Sequence, residues 1–385
     1  MKKLSLVVAT MLASQSIIIA EDVKNDWTLN GNIRVGFIAD DNDVKGAESV
    51  RDLAVGGSIT ILTPKIDNNF QIGTTLYTSQ PLFGQKSDGF LTEDNDGHDS
   101  YSYIGEAYIT GTVFGKTSVL LGKKVIDTPF ADSDDIGMTP NSFEVYLVKN
   151  NDFENITLTA GRVLKMAGVD ASVRGEFTDM TKGDGVSVMA INYSNSDLGL
   201  DSQAWYYHLD DFVGTLDVGI IYLDATYSMQ IDEKTSLDLS GQFARFQHIN
   251  GDEKDGSVIG FQAGLGYEAL SLGLAYNQAS GDIAPINGFG GGPFYTSANT
   301  NTMVEAGQDS TGLTFSAGYD INDEISISTT YSIFTPDTVD SFSEIGLGAG
   351  YSVDENLAVS GYFATWNDSG DIQYTQYYIF MNYGF

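Results

Sequence analysis

The sequence predicts an all-β fold: a transmembrane, antiparallel, up-and-down β-barrel of eighteen strands with long external loops and short periplasmic turns. Three observations carry that reading. Runs of about ten residues place apolar side chains at every second position. The breaks between runs alternate short and long. Composition is rich in Gly (43), Tyr (21) and Phe (21) and poor in Pro (7), which favours many strands over helices. No segment beyond the N-terminus has the uninterrupted apolar length of a spanning helix, so any membrane crossing falls to strands.

The first twenty residues read as a secretory signal peptide: Lys2 and Lys3, an apolar stretch from Leu4 to Ile19, then Ala20 before Glu21. Residues 21–385 remain as the barrel. They contain no Cys, which excludes disulfides, thiol catalysis and zinc–thiolate sites. The formal net charge of -33, from 19 basic and 52 acidic residues, makes nucleic acid an improbable partner. A disordered acidic chain is excluded by 42% hydrophobic residues set in alternation.

In order, strands are expected at 27–39, 50–62, 69–79, 100–113, 117–126, 142–150, 155–164, 184–194 and 199–209. Nine more follow at 213–229, 235–249, 257–268, 270–279, 311–320, 324–334, 342–352, 356–365 and 373–385. Ile325, Ile327, Thr329, Tyr331 and Ile333 alternate with Ser326, Ser328, Thr330 and Ser332, so one face is greasy and the other hydroxylated. That suits lipid outside and water inside. The same phase recurs in Leu313, Phe315, Ala317 and Tyr319, and in Ile259, Phe261, Ala263, Leu265 and Tyr267. Short turns fall at 65–68, 114–116, 151–154, 195–198, 231–234, 269, 321–323 and 353–355. The longest loops are 80–99, 127–141, 165–183 and 280–310. The last residue, Phe385, shares the lipid-face parity of Tyr377, Ile379 and Met381. A terminal Phe is the usual address read by the barrel-insertion machinery, which makes that machinery an expected partner beside outer-membrane lipid and lipopolysaccharide.

Inward parity with Thr28, Asn30 and Asn32 makes Arg34 a candidate pore residue, since a basic side chain on the lipid face near mid-membrane costs roughly 2–4 kcal/mol. One of Lys123 and Lys124 joins it, with the phase left open. Arg162, Lys165 and Arg174 lie at or in the loop 165–183, either lining a constriction or meeting lipopolysaccharide phosphate and neighbouring acids. The acidic clusters Asp40, Asp41, Asp43 and Glu93, Asp94, Asp96, Asp99 fit no EF-hand register: with Asp96 and Gly97 at the fifth and sixth positions, Thr92 falls first and Tyr103 twelfth. They read as a solvated surface. GFGGGP (288–293) lacks the strand-to-helix context of a phosphate loop and reads as backbone flexibility at a pore mouth, with Phe294 and Tyr295 set against solute or against each other. None of His98, His208 and His248 has a Ser partner legible in the sequence, so no enzyme and no cofactor is expected.

GKKVIDTPFADSDDIGMTPNSFEVY (122–146) resembles the loop-bearing segment of the OprD family of outer-membrane porins, through Gly122, Lys123, Pro129, Asp134, Asp135, Met138, Pro140, Ser142 and Phe143. Ile156–Arg162 and WYYHLDDF (205–212) add to the resemblance, which spans most of residues 21–385. It implies an eighteen-stranded barrel whose third, fourth and seventh external loops, here 127–141, 165–183 and 280–310, fold inward. It also implies a lumen with a basic ladder that attracts carboxylates. The family's Arg after the Asp pair is absent; Ile136 and Gly137 stand there. The expected function is therefore diffusive passage of small polar solutes such as amino acids or small organic acids. A general, weakly cation-selective porin and a structural or adhesive barrel are the alternatives. Asp132, Asp134 and Asp135, crowded into the third loop, set the expectation of weak cation selectivity, because charges within roughly 8 Å dominate at physiological salt.

Overall fold

The computed structural model describes residues 26–42, 49–67, 69–83, 90–92, 100–252, 254–368 and 371–385. The signal-peptide reading, Asp43 and Glu93–Asp99 lie outside the described residues; Asp40, expected on a solvated surface, is instead buried at 3% exposure because its phase along the strand is that of Arg34.

The strands are β1 (Thr28–Asn42), β2 (Val50–Leu62), β3 (Phe70–Pro81), β4 (Tyr101–Phe114), β5 (Thr117–Lys124), β6 (Ser142–Asn150), β7 (Ile156–Ala167), β8 (Thr178–Asp179), β9 (Val186–Asn195) and β10 (Leu200–Val213). They continue with β11 (Leu216–Gln230), β12 (Thr235–His248), β13 (Asp255–Tyr267), β14 (Leu270–Gly281), β15 (Thr311–Asp320), β16 (Ile325–Thr335), β17 (Phe342–Ser352), β18 (Leu357–Asp368) and β19 (Asp371–Gly384). Each pairs antiparallel with its neighbour, β7 pairs with β9, and β1 pairs with both β2 and β19, which closes the sheet. Eighteen of these form the barrel. The extra one, β8, is two residues long and hangs on the outer end of β7 through Lys165↔Asp179 and Met166↔Thr178. A single helical turn, α1 (Met303–Ala306), lies in the seventh external loop.

Alternation places the strand faces as period 2 requires. Phe261 points outward and is 58% exposed, whereas Phe246, inward on the next strand, is fully buried. The short turns are built by side chains that accept the hydrogen bonds the chain reversal would leave unmade. Asn195 Oδ1 accepts from Asp197 and Leu198 N–H, Asn322 Oδ1 from Glu324 and Ile325, and Asp354 Oδ1 from Asn356 and Leu357. These Asx turns are why Asn and Asp recur at the periplasmic end. Gly57 shows why glycine recurs in the wall: at φ +132, an added Cβ would stand 2.0 Å from the Asn32 carbonyl oxygen.

The fifth external connection departs from the expected alternation. β10 and β11 extend past the membrane to a two-residue link, Gly214 and Thr215, after a register shift between Leu209 and Val213. Asp211 takes φ +48 in that bulge, and Asp217 Oδ1 accepts its N–H at 3.0 Å. The acidic stretch is thus drawn into a protruding hairpin instead of a loop.

Leu347 faces outward at the middle of β17, so Leu347→Lys costs about 2–4 kcal/mol of barrel stability in urea unfolding from lipid vesicles, while Ser328→Lys, facing water on β16, costs far less.

Candidate functional site: the loop-filled lumen

The third loop (127–141) enters the barrel along two fasteners. Arg34, inward on β1 and 4% exposed, donates from Nη1 and Nη2 to Asp135 at 2.6 and 2.9 Å and from Nη1 to the Gly137 carbonyl at 2.6 Å. Its Nε donates to Asn382 Oδ1 at 2.6 Å, and its guanidinium lies over the Phe380 ring. Every direction of this fork is thereby occupied. The second fastener is apolar: Phe130 inserts edge-on among Tyr207, Tyr222, Phe246 and Phe294.

The seventh loop (280–310) meets the third. Asp132 accepts N–H bonds from Gly291 and Gly292 at 3.2 and 3.3 Å, and Ala131 pairs with Phe289. The glycine run allows the approach. A Cβ on Gly288 would stand 2.4 Å from the Phe130 carbonyl oxygen, and one on Gly290 would stand 2.4 Å from Asp132 Oδ1. The run expected to supply flexibility at a pore mouth instead removes bulk from a packed junction. On the wall, Tyr295 hydrogen-bonds Asp224, and Asn277 Oδ1 accepts from Thr296 N and Oγ1.

Burial sets the charge of the third-loop acids. Desolvation raises Asp132 to about 6 even though the Gly291 and Gly292 amides favour its carboxylate. Desolvation and the adjoining Asp170 and Asp132 charges raise Asp134 to about 8. Asp170 is itself held by Asn141 Nδ2 at 2.6 Å. The three acids expected to charge the constriction are thus engaged in packing: Asp135 is paired with Arg34, Asp132 accepts from the glycine amides, and Asp134 shares a buried, hydrogen-bonded site with Asp170 that favours its neutral form.

The basic candidates divide by face. Lys124 is inward; its Nζ reaches Glu106 Oε2 at 3.2 Å and lies 4.0 Å from the centre of the Tyr108 ring, while Thr75 and Tyr77 donate to Glu106 Oε1. Lys123 has the opposite phase, in register with exposed Ala107, and caps the Phe177 ring at 4.0 Å. Arg162 and Lys165 also sit on the outward phase, in rows with Tyr146 and Glu144, which hydrogen-bond each other on the outer wall. The bulge between Glu144 and Val145 accommodates Leu164, so parity counted across the loop boundary does not predict these faces. Neither lines the lumen. Lys165 pairs with Asp179 at 3.4 Å, and Arg162 donates to the Asp184 carbonyl. Arg174 ties the fourth loop (165–183) to the second through the Thr92 carbonyl at 2.8 Å. Phe294 is buried at 4% and belongs to the aromatic core, not to a solute track.

Sequence reasoning missed the inward acids Glu106, Asp201, Asp224, Asp238 and Glu344. A signal existed, since each has the parity of the polar face of its strand. Asp201 and Asp238 share the inward phases of Trp205 with Tyr207 and of Gln242 with Phe246, and neither has an ion-pair partner among the described residues. Lys149 is inward beside the periplasmic turn, on the phase of Val145 and Leu147.

A closed barrel with an apolar outer wall, a polar lumen and inward-packed loops defines an outer-membrane pore. A family model described as "outer membrane porin, OprD family" matches residues 66–322, and the chain belongs to that family of channels for small polar solutes in the outer membrane. A search of curated proteins finds no match. Among solved structures the chain is similar to Acinetobacter baumannii OccAB3, at 16% identity and TM-score 0.80 over 94% of this chain and 99% of that one. It is also similar to Pseudomonas aeruginosa OccK9 (OpdG), at 14% and 0.82 over 94% and 99%. Pseudomonas aeruginosa OpdK, solved with vanillate, matches at 15% and 0.80 over 94% and 100%.

Two outcomes follow from these contacts. Arg34→Met leaves the half-buried Asp135 without its cation and destabilises the third-loop packing by about 1.5–3 kcal/mol, read as lost amide-exchange protection of residues 132–141. The Asp134 carboxyl is raised from 3.8 to about 8 when the loops are packed, so the packed state holds a proton that the open state releases. Loop protection therefore falls as pH rises from 4 and stays low above 8. Asp134→Asn keeps the neutral shape and flattens that dependence; an unchanged pH profile in this variant would remove Asp134 from it.

Proposed function

We propose that the pore conducts small polar solutes past a constriction formed by the third and seventh loops, and that it weakly prefers cations and neutral solutes to carboxylates. The observation that carries this is the state of the inward charges. Arg34 and Lys124 are each paired with a carboxylate, while Asp201 and Asp238 have no cation within ion-pair distance among the described residues, and Asp224 is met by the Tyr295 and Tyr222 hydroxyls. Lys149 lies near the periplasmic end, where Asp201 and Asp238 also lie, so two inward acids face one inward cation there. Field in a low-dielectric passage is set by such fixed local charges, not by the chain's total of -33.

The acids that set the preference are then those of β10–β12 and not Asp134 or Asp135. On this reading the solutes are amino acids, amines or similar small metabolites, and no catalytic step takes part. Phe385 exchanges backbone hydrogen bonds with Gly31 at 3.0 Å in both directions, which supports its role as the strand end read by the insertion machinery. Arg162, Lys165 and Lys123, outward at the external rim, suit lipopolysaccharide phosphates.

Reversal potentials across a salt gradient in planar bilayers check the proposal. The expected sign is cation preference, reduced by Asp201→Asn combined with Asp238→Asn and unchanged at neutral pH by Asp134→Asn. A clear anion preference overturns it, and a barrel that carries no current would favour a structural role.

A further inference from the structure

Glu344 projects inward from β17 and is 1% exposed, yet no cation pairs with it among the described residues. Its charge is met by the seventh loop alone. Oε1 accepts from the N–H groups of Asn299 and Thr300 at 2.8 and 3.2 Å. Oε2 accepts from Thr300 and Asn301 N–H at 3.1 and 3.0 Å and from Asn301 Nδ2 at 2.8 Å. Three consecutive backbone amides converging on one anion make a nest, here with the anion supplied by the barrel wall. β19, two strands along the wall, completes the seat: Asn299 donates to Gln376 Oε1 and accepts from the Tyr378 hydroxyl, both at 2.6 Å.

We propose that Glu344 is the positioning residue that seats the seventh loop inside the barrel, so that the width of the pore depends on this one carboxylate. The loop is held at two places. Its first half is joined to another loop through Asp132 and the Gly291 and Gly292 amides, so both could shift together. Its second half is fixed to the wall, and the wall does not move. Of the wall contacts, Tyr295–Asp224 and Thr296–Asn277 hold single residues, whereas Glu344 holds three in succession. Hydrogen bonds to a charged acceptor are about twice as strong as neutral ones, and Ala at this position would leave three inward amides without an acceptor. With the loop released, those amides find water only by moving into the open lumen.

This inference needs a conducting barrel but not the cation preference proposed above, since it concerns size and not sign. Its test is single-channel conductance together with liposome swelling in neutral sugars of increasing size, on full-length protein whose barrel is verified by heat-modifiable electrophoretic mobility. Glu344→Ala should raise conductance about two-fold or more and admit larger sugars. Glu344→Gln keeps one neutral acceptor oxygen and should fall between Ala and wild type; if Gln and Ala change ion conductance but leave the neutral-sugar cut-off at the wild-type value, lost charge and not a lost seat is the cause, and the proposal fails. Asn301→Ala removes one donor from the loop side and should widen the pore slightly. Combined with Glu344→Ala it should add nothing, because both act on one contact. A folded Glu344→Ala barrel with wild-type conductance and sugar cut-off overturns the proposal. Should Glu344→Ala not fold, Asn301→Ala with Thr300→Pro decides: unchanged conductance overturns it equally.

Discussion

The structure depends on one constraint, that no backbone N–H or C=O may be left unpaired where the solvent is hydrocarbon. Strands satisfy it only when the sheet has no edge, so the pairing of β1 with β19, from Asn32↔Gly384 to Asn42↔Tyr374, is what makes the other seventeen pairings tenable. Closure also fixes every face. Once Ile33 pairs with Tyr383 and Phe37 with Ile379 on the outside, Arg34 and Asp40 must lie inside, and a slip of one residue would exchange the two sets.

A closed barrel of this size encloses more space than its own side chains fill. The external loops take up that space, and they can do so only if their polar backbone is satisfied within the lumen. The inward charges meet that need. Asp132 takes the Gly291 and Gly292 amides, Glu344 takes those of residues 299–301, and Arg34 takes the Gly137 carbonyl together with Asp135. Hydrogen bonds to charged groups contribute roughly 1.5–3 kcal/mol each, enough to outweigh the ordering of a few loop residues. A lumen whose charges hold loops has few left to attract solute, so the acids with no loop partner, Asp201 and Asp238, gain weight in the pore's field.

Gly137 brings its backbone carbonyl to Arg34 on the barrel wall. The guanidinium thus reaches the loop from β1, and it arrives already bound to Asp135. Total charge is a poor guide to such a pore, because only charges within about a screening length, roughly 8 Å at physiological salt, contribute strongly to its field.

The residues alone determined the strands, their number and the face of nearly every side chain within them, because period-2 alternation is a local property that lipid and water enforce at each position. The positions of the short turns were legible for the same local reason. Tertiary structure alone decided the site. Arg34 meets Asp135 from 101 residues away, and Asp132 meets Gly292 from 160. A bulge at Glu144 and Val145 carries Lys165 outward, and the same three loop acids that composition marked as pore charges become fasteners. Contacts between loops leave no periodic trace, since they depend on which segments the closed barrel brings together and not on the order of residues within any one of them.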